Sequence, residues 1–375
     1  MIPYGRQSIE QDDIDAVIKV LTSDFLTQGE SVGEFEKKLA EYCGAKYAVV
    51  VSSGTAALHA AFFAIGLAEG DEFITSSMTF AATANAGLWQ KGKPVFVDID
   101  LETGNIDVEK IEEKITDKTK AIVPVDYTGR PADLEKIKQI ADKHNLVVVE
   151  DACQALGAVY HGRKIGAISD LTVFSFHPVK SITTGEGGAI LTNNGQYYKK
   201  MKSFITHGVT KGDFIGKVGG WQYDMVDLGL NYRLTDIACA LGISQLKKID
   251  TFLNKRIELV KIYNIAFENF TKIIIPKFDD KNNKSGWHLY VIRLNENNKK
   301  SRKQVFDELR DIGIGVQVHH TPVHTLTYYK NLGYTGAGLE NTEKFYNSIL
   351  SLPLYPNLTK EDQNKVIEKV KEIIV

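Results

Sequence analysis

With 375 residues, the chain has room for two domains, or for one large domain with an appendage. It is 43% hydrophobic and 25% charged with a formal net charge of −2, which gives no electrostatic basis for nucleic acid or an anionic membrane as its main partner. Its three cysteines, Cys43, Cys153 and Cys239, match no metal-ligand spacing, so no metal site is expected and a reducing compartment is the simplest reading.

The first residues, Met1 to Arg6, lack the apolar core of a signal peptide. Ile14, Val17, Ile18 and Leu21 have helical spacing, and after a turn at Leu26 to Gly29 a second amphipathic helix is expected over Val32 to Tyr42. Tyr47 to Val51 reads as a buried strand, followed by Ser52-Ser-Gly-Thr55 and an Ala-rich helix from Ala56. The most apolar stretch, Ala56 to Ala68, contains His59 and is too short to span a bilayer, so a cytoplasmic protein is expected. Further strands are expected at Glu72–Thr75, Pro94–Asp98, Ala121–Val125 and Leu146–Asp151, with helices opening at Thr79 and running over Leu134 to His144. Next comes Thr172-Val-Phe-Ser-Phe-His-Pro-Val-Lys180, then a glycine-rich turn and a second apolar run to Thr192. Strands alternating with helices over this length predict an α/β fold, its mostly parallel central sheet covered on both faces.

Beyond Leu191 the pattern changes. Gly212 to Gly220 suggests an irregular loop, and one long helix is expected from Ile237 to about Phe267. A polar break at Asp279 to Ser285 precedes a strand (His288 to Leu294), a helix (Arg302 to Asp311), a second strand (Ile314 to Val318) and a helix after Leu358. This describes a smaller α+β module, and the division expected is residues 1–250 and 251–375.

Ligands in such sheets sit beyond the C-terminal ends of the strands. Ser52 to Thr55 join a strand to a helix N-terminus, where free N–H groups and the dipole suit a phosphate, although simple N-capping explains the same residues. Asp151 closes an apolar run and reads as a carboxylate facing a cavity, or as a helix cap or ion pair. Lys180 follows a buried strand, and is either a surface loop lysine or an amine kept for a Schiff base. Taken together, a phosphate cup, an acid and a lysine on successive strand ends are what pyridoxal phosphate requires.

The segments Ser53-Gly-Thr-Ala-Ala-Leu58, Thr79 to Asn85, Glu150-Asp-Ala152, Phe174 to Lys180, Gly185-Glu-Gly-Gly188 and Asn231-Tyr-Arg-Leu-Thr-Asp236 carry a resemblance spanning essentially the whole chain. It is to the DegT/DnrJ/EryC1/StrS sugar aminotransferases, which have the aspartate aminotransferase-like fold of the fold-type I pyridoxal phosphate enzymes. The resemblance implies Lys180 as the catalytic Schiff-base lysine and proton carrier, Asp151 on the pyridine nitrogen, Gln154 near the ring oxygen and Phe80 stacked on the ring. It implies Gly54, Thr55 and Ser175 at the phosphate, with Asn231 reaching it from the second subunit of a homodimer. Outside that context Phe80 reads as a core aromatic, Ser175 as a satisfied strand hydroxyl and Asn231 as a turn former. A branch of the family replaces the lysine with histidine and dehydrates sugars; this chain keeps Lys180, which favours transamination.

Tyr4-Gly-Arg-Gln7, Leu26-Thr-Gln-Gly29, Val125-Asp-Tyr-Thr-Gly129, Ile182-Thr-Thr184, Gly315-Val-Gln-Val-His319 and Ser351-Leu-Pro353 resemble the branch of the family that serves pseudaminic acid biosynthesis. Likeness to that branch implies L-glutamate as amino donor and a UDP-linked 2-acetamido-2,6-dideoxy-4-keto-L-hexose as acceptor. Tyr4, Leu26, Thr27, His177, His207, Arg233, Gln317, His319 and His320 are the substrate candidates. The chain departs from the branch at His320, where a tyrosine is usual, and at Cys153-Gln154, where Ser-His is usual. Perosamine-, bacillosamine- or aminoarabinose-type acceptors are the alternatives, with a non-catalytic regulator behind them.

Overall fold

The computed structural model describes residues 1–210 and 219–375. The expected loop at Gly212 to Gly220 therefore lies, up to residue 218, outside the described residues. In chain order the first elements are α1 (Gln11–Leu21), α2 (Glu30–Cys43), β1 (Tyr47–Val51), α3 (Gly54–Ala64), β2 (Glu72–Ser76), α4 (Ala82–Trp89) and β3 (Lys93–Val97). There follow β4 (Thr119–Val123), α5 (Leu134–His144), β5 (Val147–Asp151), a small hairpin of β6 (Val159–Tyr160) and β7 (Arg163–Lys164), β8 (Leu171–Ser175), β9 (Gly188–Thr192) and α6 (Gly195–Phe204). Next are β10 (Val209–Thr210), β11 (Asp224–Met225), α7 (Asp236–Leu246), α8 (Ile249–Phe267), β12 (Ile273–Ile274) and β13 (Tyr290–Leu294). The last elements are α9 (Arg302–Asp311), α10 (Thr327–Asn331), α11 (Glu340–Ser348), β14 (Ile349–Leu352) and α12 (Lys360–Ile373).

Seven strands form one sheet in the order β1-β9-β8-β5-β4-β2-β3, with β9 antiparallel to both neighbours and the other pairings parallel. Alternate side chains feed the two faces of the first core. Val49, Val51, Val149, Val173 and Ile190 pack with α3 and α6 on one side, while Val50, Val148, Phe174 and Leu191 pack under α2 and α5 on the other. Burying each such side chain contributes about 1.5–3 kcal/mol before entropy. Pro94 sits on β3, the sheet's edge, where its missing N–H breaks no inner ladder.

A second core gathers Leu259, Val260, Tyr263 and Phe267 of α8 around the antiparallel sheet β12-β13-β14, with α9 and α12. Ile2 belongs to it too: its N–H donates to Gly313 and its carbonyl accepts from Gly315. The long helix expected from Ile237 breaks into α7 and α8 at Lys247–Lys248, where Lys248 turns back to put its ammonium 2.6 Å from Asp12 and 2.8 Å from Asp13. The strand expected at Ile314 to Val318 does not form. This stretch makes only isolated bridges, Ile2 to Ile314 and Gln317 to Ser351, and β14 takes the place beside β13. Among the described residues, no helix is long and apolar enough to cross a membrane.

Candidate active site

The parallel strands β1, β2, β4, β5 and β8 all end on one side of the sheet, and the segments leaving them line one cavity of about 850 Å³. Ser52 to Thr55 come from β1, Thr79 to Thr83 from the β2 exit, Val125 and Tyr127 from β4, Asp151 to Gln154 from β5, and Ser175 to Lys180 from β8. Tyr4 and the stretch Gln317 to Thr321 close it from the second core's side.

Lys180 keeps part of its surface open to this cavity, yet protein encloses it closely. Desolvation draws its ammonium pKa down, against the opposing pull of Cys153 and Asp151. Asp151 is 6% exposed and fixed at both oxygens. The Thr83 hydroxyl donates to Oδ2 at 2.7 Å, and the Cys153 N–H donates to Oδ1 at 3.2 Å. Thr83 is itself held 2.7 Å from the Thr79 hydroxyl. Phe80 is 62% exposed at the same cavity, with a tilted contact to His320 at 5.6 Å between ring centroids. An aromatic left this open at a cavity is not a core residue.

Small residues make the cup. Ser53 caps α3 by accepting from the Ala56 N–H at 3.0 Å, which leaves other first-turn N–H groups without intrahelical acceptors. Gly54 lies so close to β8 that an added Cβ would stand 2.9 Å from Ser175 Cβ. Gly188 lies equally close to the same turn, since a Cβ there would meet the Ser53 carbonyl oxygen at 2.5 Å. Donors at a helix N-terminus, a hydroxyl, an amine and a buried carboxylate in one cavity fit pyridoxal phosphate by their chemistry.

Gly54, Thr55, Phe80, Asp151, Gln154, Ser175, Lys180, Tyr4, His177, Gln317, His319 and His320 are brought together. Leu26, Thr27, His207, Asn231 and Arg233 are not among the lining residues. They lie together elsewhere: Thr27 bridges Thr235, Thr206 bridges Asn231, Val51 bridges Arg233, and the His207 N–H donates to Leu230. Several cavity residues are not singled out by the sequence, Thr83, Tyr127 and His288 among them. Thr83 stands one turn past Phe80, in a segment that reads as a helix start and carries part of the family resemblance but gives this threonine no role of its own. Tyr127 lies in the Val125–Gly129 segment, which carries only the branch resemblance, and His288 reads only as the first residue of a strand. His288 is 4% exposed and lines the cavity, and the Tyr127 hydroxyl donates to the His319 carbonyl.

Comparison with known proteins gives one consistent answer. Residues 7–371 match the DegT/DnrJ/EryC1/StrS aminotransferase family. The chain is 41% identical over 382 residues to a Campylobacter jejuni UDP-4-amino-4,6-dideoxy-N-acetyl-beta-L-altrosamine transaminase, covering 99% of each. Among solved structures it resembles Helicobacter pylori PseC, an aminotransferase involved in the biosynthesis of pseudoaminic acid (36% identity, TM-score 0.93, 100% of this chain and 99% of that one). It also resembles Streptococcus pneumoniae Spr1654 in its PMP form (31% identity, TM-score 0.95, 100% and 99%). The chain belongs to the DegT/DnrJ/EryC1/StrS aminotransferase family.

Proposed function

We propose that this protein is a cytoplasmic pyridoxal phosphate-dependent aminotransferase. In this reading it moves the amino group of L-glutamate to C4 of a UDP-linked 2-acetamido-2,6-dideoxy-4-keto-L-hexose. The product is UDP-4-amino-4,6-dideoxy-N-acetyl-beta-L-altrosamine, for pseudaminic acid biosynthesis. The observation that carries it is one cavity holding Lys180, the doubly anchored Asp151 and the Gly54–Ser175 cup, in a chain 41% identical to a transaminase of that name. Pyridoxal phosphate, when bound, supplies an electron sink for the carbon that loses its proton. Lys180 would hold it covalently and carry the proton, and its lowered pKa raises the share of free amine able to accept one. Asp151, oriented by Thr83 and the Cys153 N–H, would hold the ring nitrogen's proton. Gln154 would stand at the ring oxygen, Phe80 would stack on the ring, and Gly54, Thr55 and Ser175 would hold the phosphate. Residues 1–250, apart from the first few with Ile2 and Tyr4, form the cofactor wall in this reading, and residues 251–375 with that N-terminal segment the wall facing it.

The five candidates missing from the cavity support a shared site in a homodimer. Leu26, Thr27, Asn231 and Arg233 lie close in the chain to exposed apolar side chains, including Phe25, Leu228 (85% exposed) and Leu230, and the His207 N–H donates to the Leu230 carbonyl. Such surface is costly to leave in water. Covered by a second copy, it would bring that copy's Asn231 and Arg233 toward the anionic groups of cofactor and substrate. The test is incubation with glutamate and a panel of UDP-, dTDP- and GDP-linked 4-keto-6-deoxy sugars, with 2-oxoglutarate assayed and the amino sugar solved by NMR. Amination of the UDP-linked L-arabino acceptor is expected; preference for another sugar would replace the substrate, and no 2-oxoglutarate with any would end the aminotransferase reading.

A further inference from the structure

The strand ends behind the cavity hold two carboxyls that the chemistry above does not use, Asp126 after β4 and Glu150 on β5. Both are 0% exposed, and neither lines the cavity. Backbone bonds tie them to Asp151. The Asp126 N–H donates to the Asp151 carbonyl at 3.0 Å, and the Asp151 N–H donates to the Pro124 carbonyl at 2.9 Å. Glu150 precedes Asp151 on the strand, so its side chain leaves the opposite face of the sheet. The pair therefore lies one layer of backbone behind the carboxylate that faces the cavity.

Each carboxyl has one oxygen satisfied. Asp126 Oδ1 accepts from the Ala132 N–H at 2.9 Å, and Glu150 Oε2 accepts from the Thr172 hydroxyl at 2.8 Å. Asp126 Oδ2 and Glu150 Oε1 are sealed from water and receive no donor from the described residues. The two carboxyls face one another closely enough to share a hydrogen bond once one of them is protonated. Two ionised carboxylates offer acceptors only, so without a proton both inner oxygens would stay unpaired against a like charge. One proton supplies the missing donor and removes one of two negative charges from a water-free site. The outer oxygens already receive donors, so a single proton completes the set.

The electrostatics agree with this geometry. Burial first, then the Glu150 charge, raises the Asp126 pKa well above the carboxylate range, and burial raises that of Glu150. The other groups facing the pair are Asp151, the Cys43 thiol of α2, the Thr172 and Ser169 hydroxyls and the Ala132 N–H, with no cation among them. The proton thus belongs to the pair rather than to either member. We propose that Asp126 and Glu150 share one proton and act as positioning residues for Asp151, Asp126 through its backbone bond and the pair through the one negative charge it keeps. That charge steadies the proton that Asp151 would hold on the cofactor's ring nitrogen. It is felt on the cavity side already: burial, then Asp151, raises the Cys153 thiol pKa, and the Asp126 charge adds to them. The proposal rests on the pyridoxal phosphate reading above.

The test uses amides, which keep the carboxyl's shape but carry no titrating proton. Asp126→Asn and Glu150→Gln each leave one carboxylate facing an amide donor, the same charge and hydrogen bond as the one-proton pair. The double variant leaves no charge. With ¹⁵N-labelled pyridoxal phosphate bound, either single variant should leave the ring-nitrogen resonance and its pH titration in place. The double variant should shift that equilibrium toward loss of the ring proton by about 10-fold. Shifts in both single variants would mean a doubly ionised pair, and no shift in the double variant a pair without charge or without effect on Asp151; either overturns the proposal. Infrared spectra of the native protein decide even if the variants fold poorly. At about pH 8, above the ordinary carboxyl range, the C=O stretch of a protonated carboxyl should persist and move with ¹³C-carboxyl aspartate or glutamate. Its absence overturns the proposal. A native chain that shows the stretch yet binds no pyridoxal phosphate ends the aminotransferase reading and the role toward Asp151 together, whereas normal cofactor binding with a silent double variant ends this proposal alone.

Discussion

Replacing Gly54 with alanine tests the phosphate cup at its tightest point. The new methyl would stand 2.9 Å from Ser175 Cβ and 3.2 Å from both Ser175 Oγ and Cys153 Sγ. Nonbonded carbons rest at about 3.5–4.0 Å, so roughly 0.6–1 Å must be found by movement. Ser175 cannot easily retreat, because it is in register with Gly188, which is itself pressed against Ser53 and Gly54. The displacement therefore falls on the Gly54–Thr55 turn and the Ser175 hydroxyl. Overpacking of this kind costs about 1–3 kcal/mol of stability. A comparable loss in cofactor binding would be about 10–100-fold in affinity. Apoprotein titrated with pyridoxal phosphate, together with thermal melts, measures both. Gly33→Ala is the control: Gly33 is exposed in α2 with nothing within 4 Å of an added Cβ, and the change should stabilise by about 0.5–1 kcal/mol. Wild-type cofactor affinity in Gly54→Ala, or like behaviour of the two variants, would refute the reasoning.

Lys180→Ala should abolish turnover and remove the borohydride-fixed pyridoxyl adduct that peptide mapping otherwise finds on Lys180; an adduct elsewhere would displace this residue from its role. Asp98 receives the N–H groups of Asn341 and Thr342 and the Thr342 hydroxyl at the start of α11. Asp98→Ala strands those three donors, a loss of about 3 kcal/mol in denaturant melts at roughly 1 kcal/mol each; a loss under half of that would show that water replaces the carboxylate. Burial alone would raise the Asp98 pKa, but the Thr342 hydroxyl and the surrounding N–H groups hold it below the ordinary value. Its contribution is thus present above the unfolded pKa and lost as pH falls through the folded one. Asp126 and Glu150 behave oppositely. Both are fully buried, and the two carboxyls face one another closely enough to share a hydrogen bond when one is protonated. Burial first, then the Glu150 charge, raises the Asp126 pKa, and burial raises that of Glu150. Their contribution is complete below the unfolded pKa and declines as pH rises through the folded values. Asp126→Asn should flatten the alkaline side of the stability–pH curve, and an unchanged slope would mean that no proton is held there.

The sequence by itself determined the sheet and several of the strand ends that meet at the cavity. Continuous apolar runs such as Tyr47–Val51 and Leu146–Val149 mark strands buried on both faces, and a polar residue ending such a run marks a candidate site. Lys180, Asp151 and Gly54 were legible for that reason, because each sits where its own neighbours are locally informative. Local pattern was blind elsewhere. Nothing between Ile237 and Phe267 marks the break at Lys248, where the ammonium meets a pair of aspartates more than 230 positions away. Ile314 to Val318 alternates like a strand, yet Ile314 pairs with Ile2 instead of joining the sheet. Tertiary structure alone decided the companions of the strand ends: Thr83 against Asp151, Tyr127 against His319, and His288 against Thr128. It also parted Leu26, Thr27, His207, Asn231 and Arg233 from the cavity. Bonds that close over such separations depend on how the two cores meet, and no local rule of spacing encodes that.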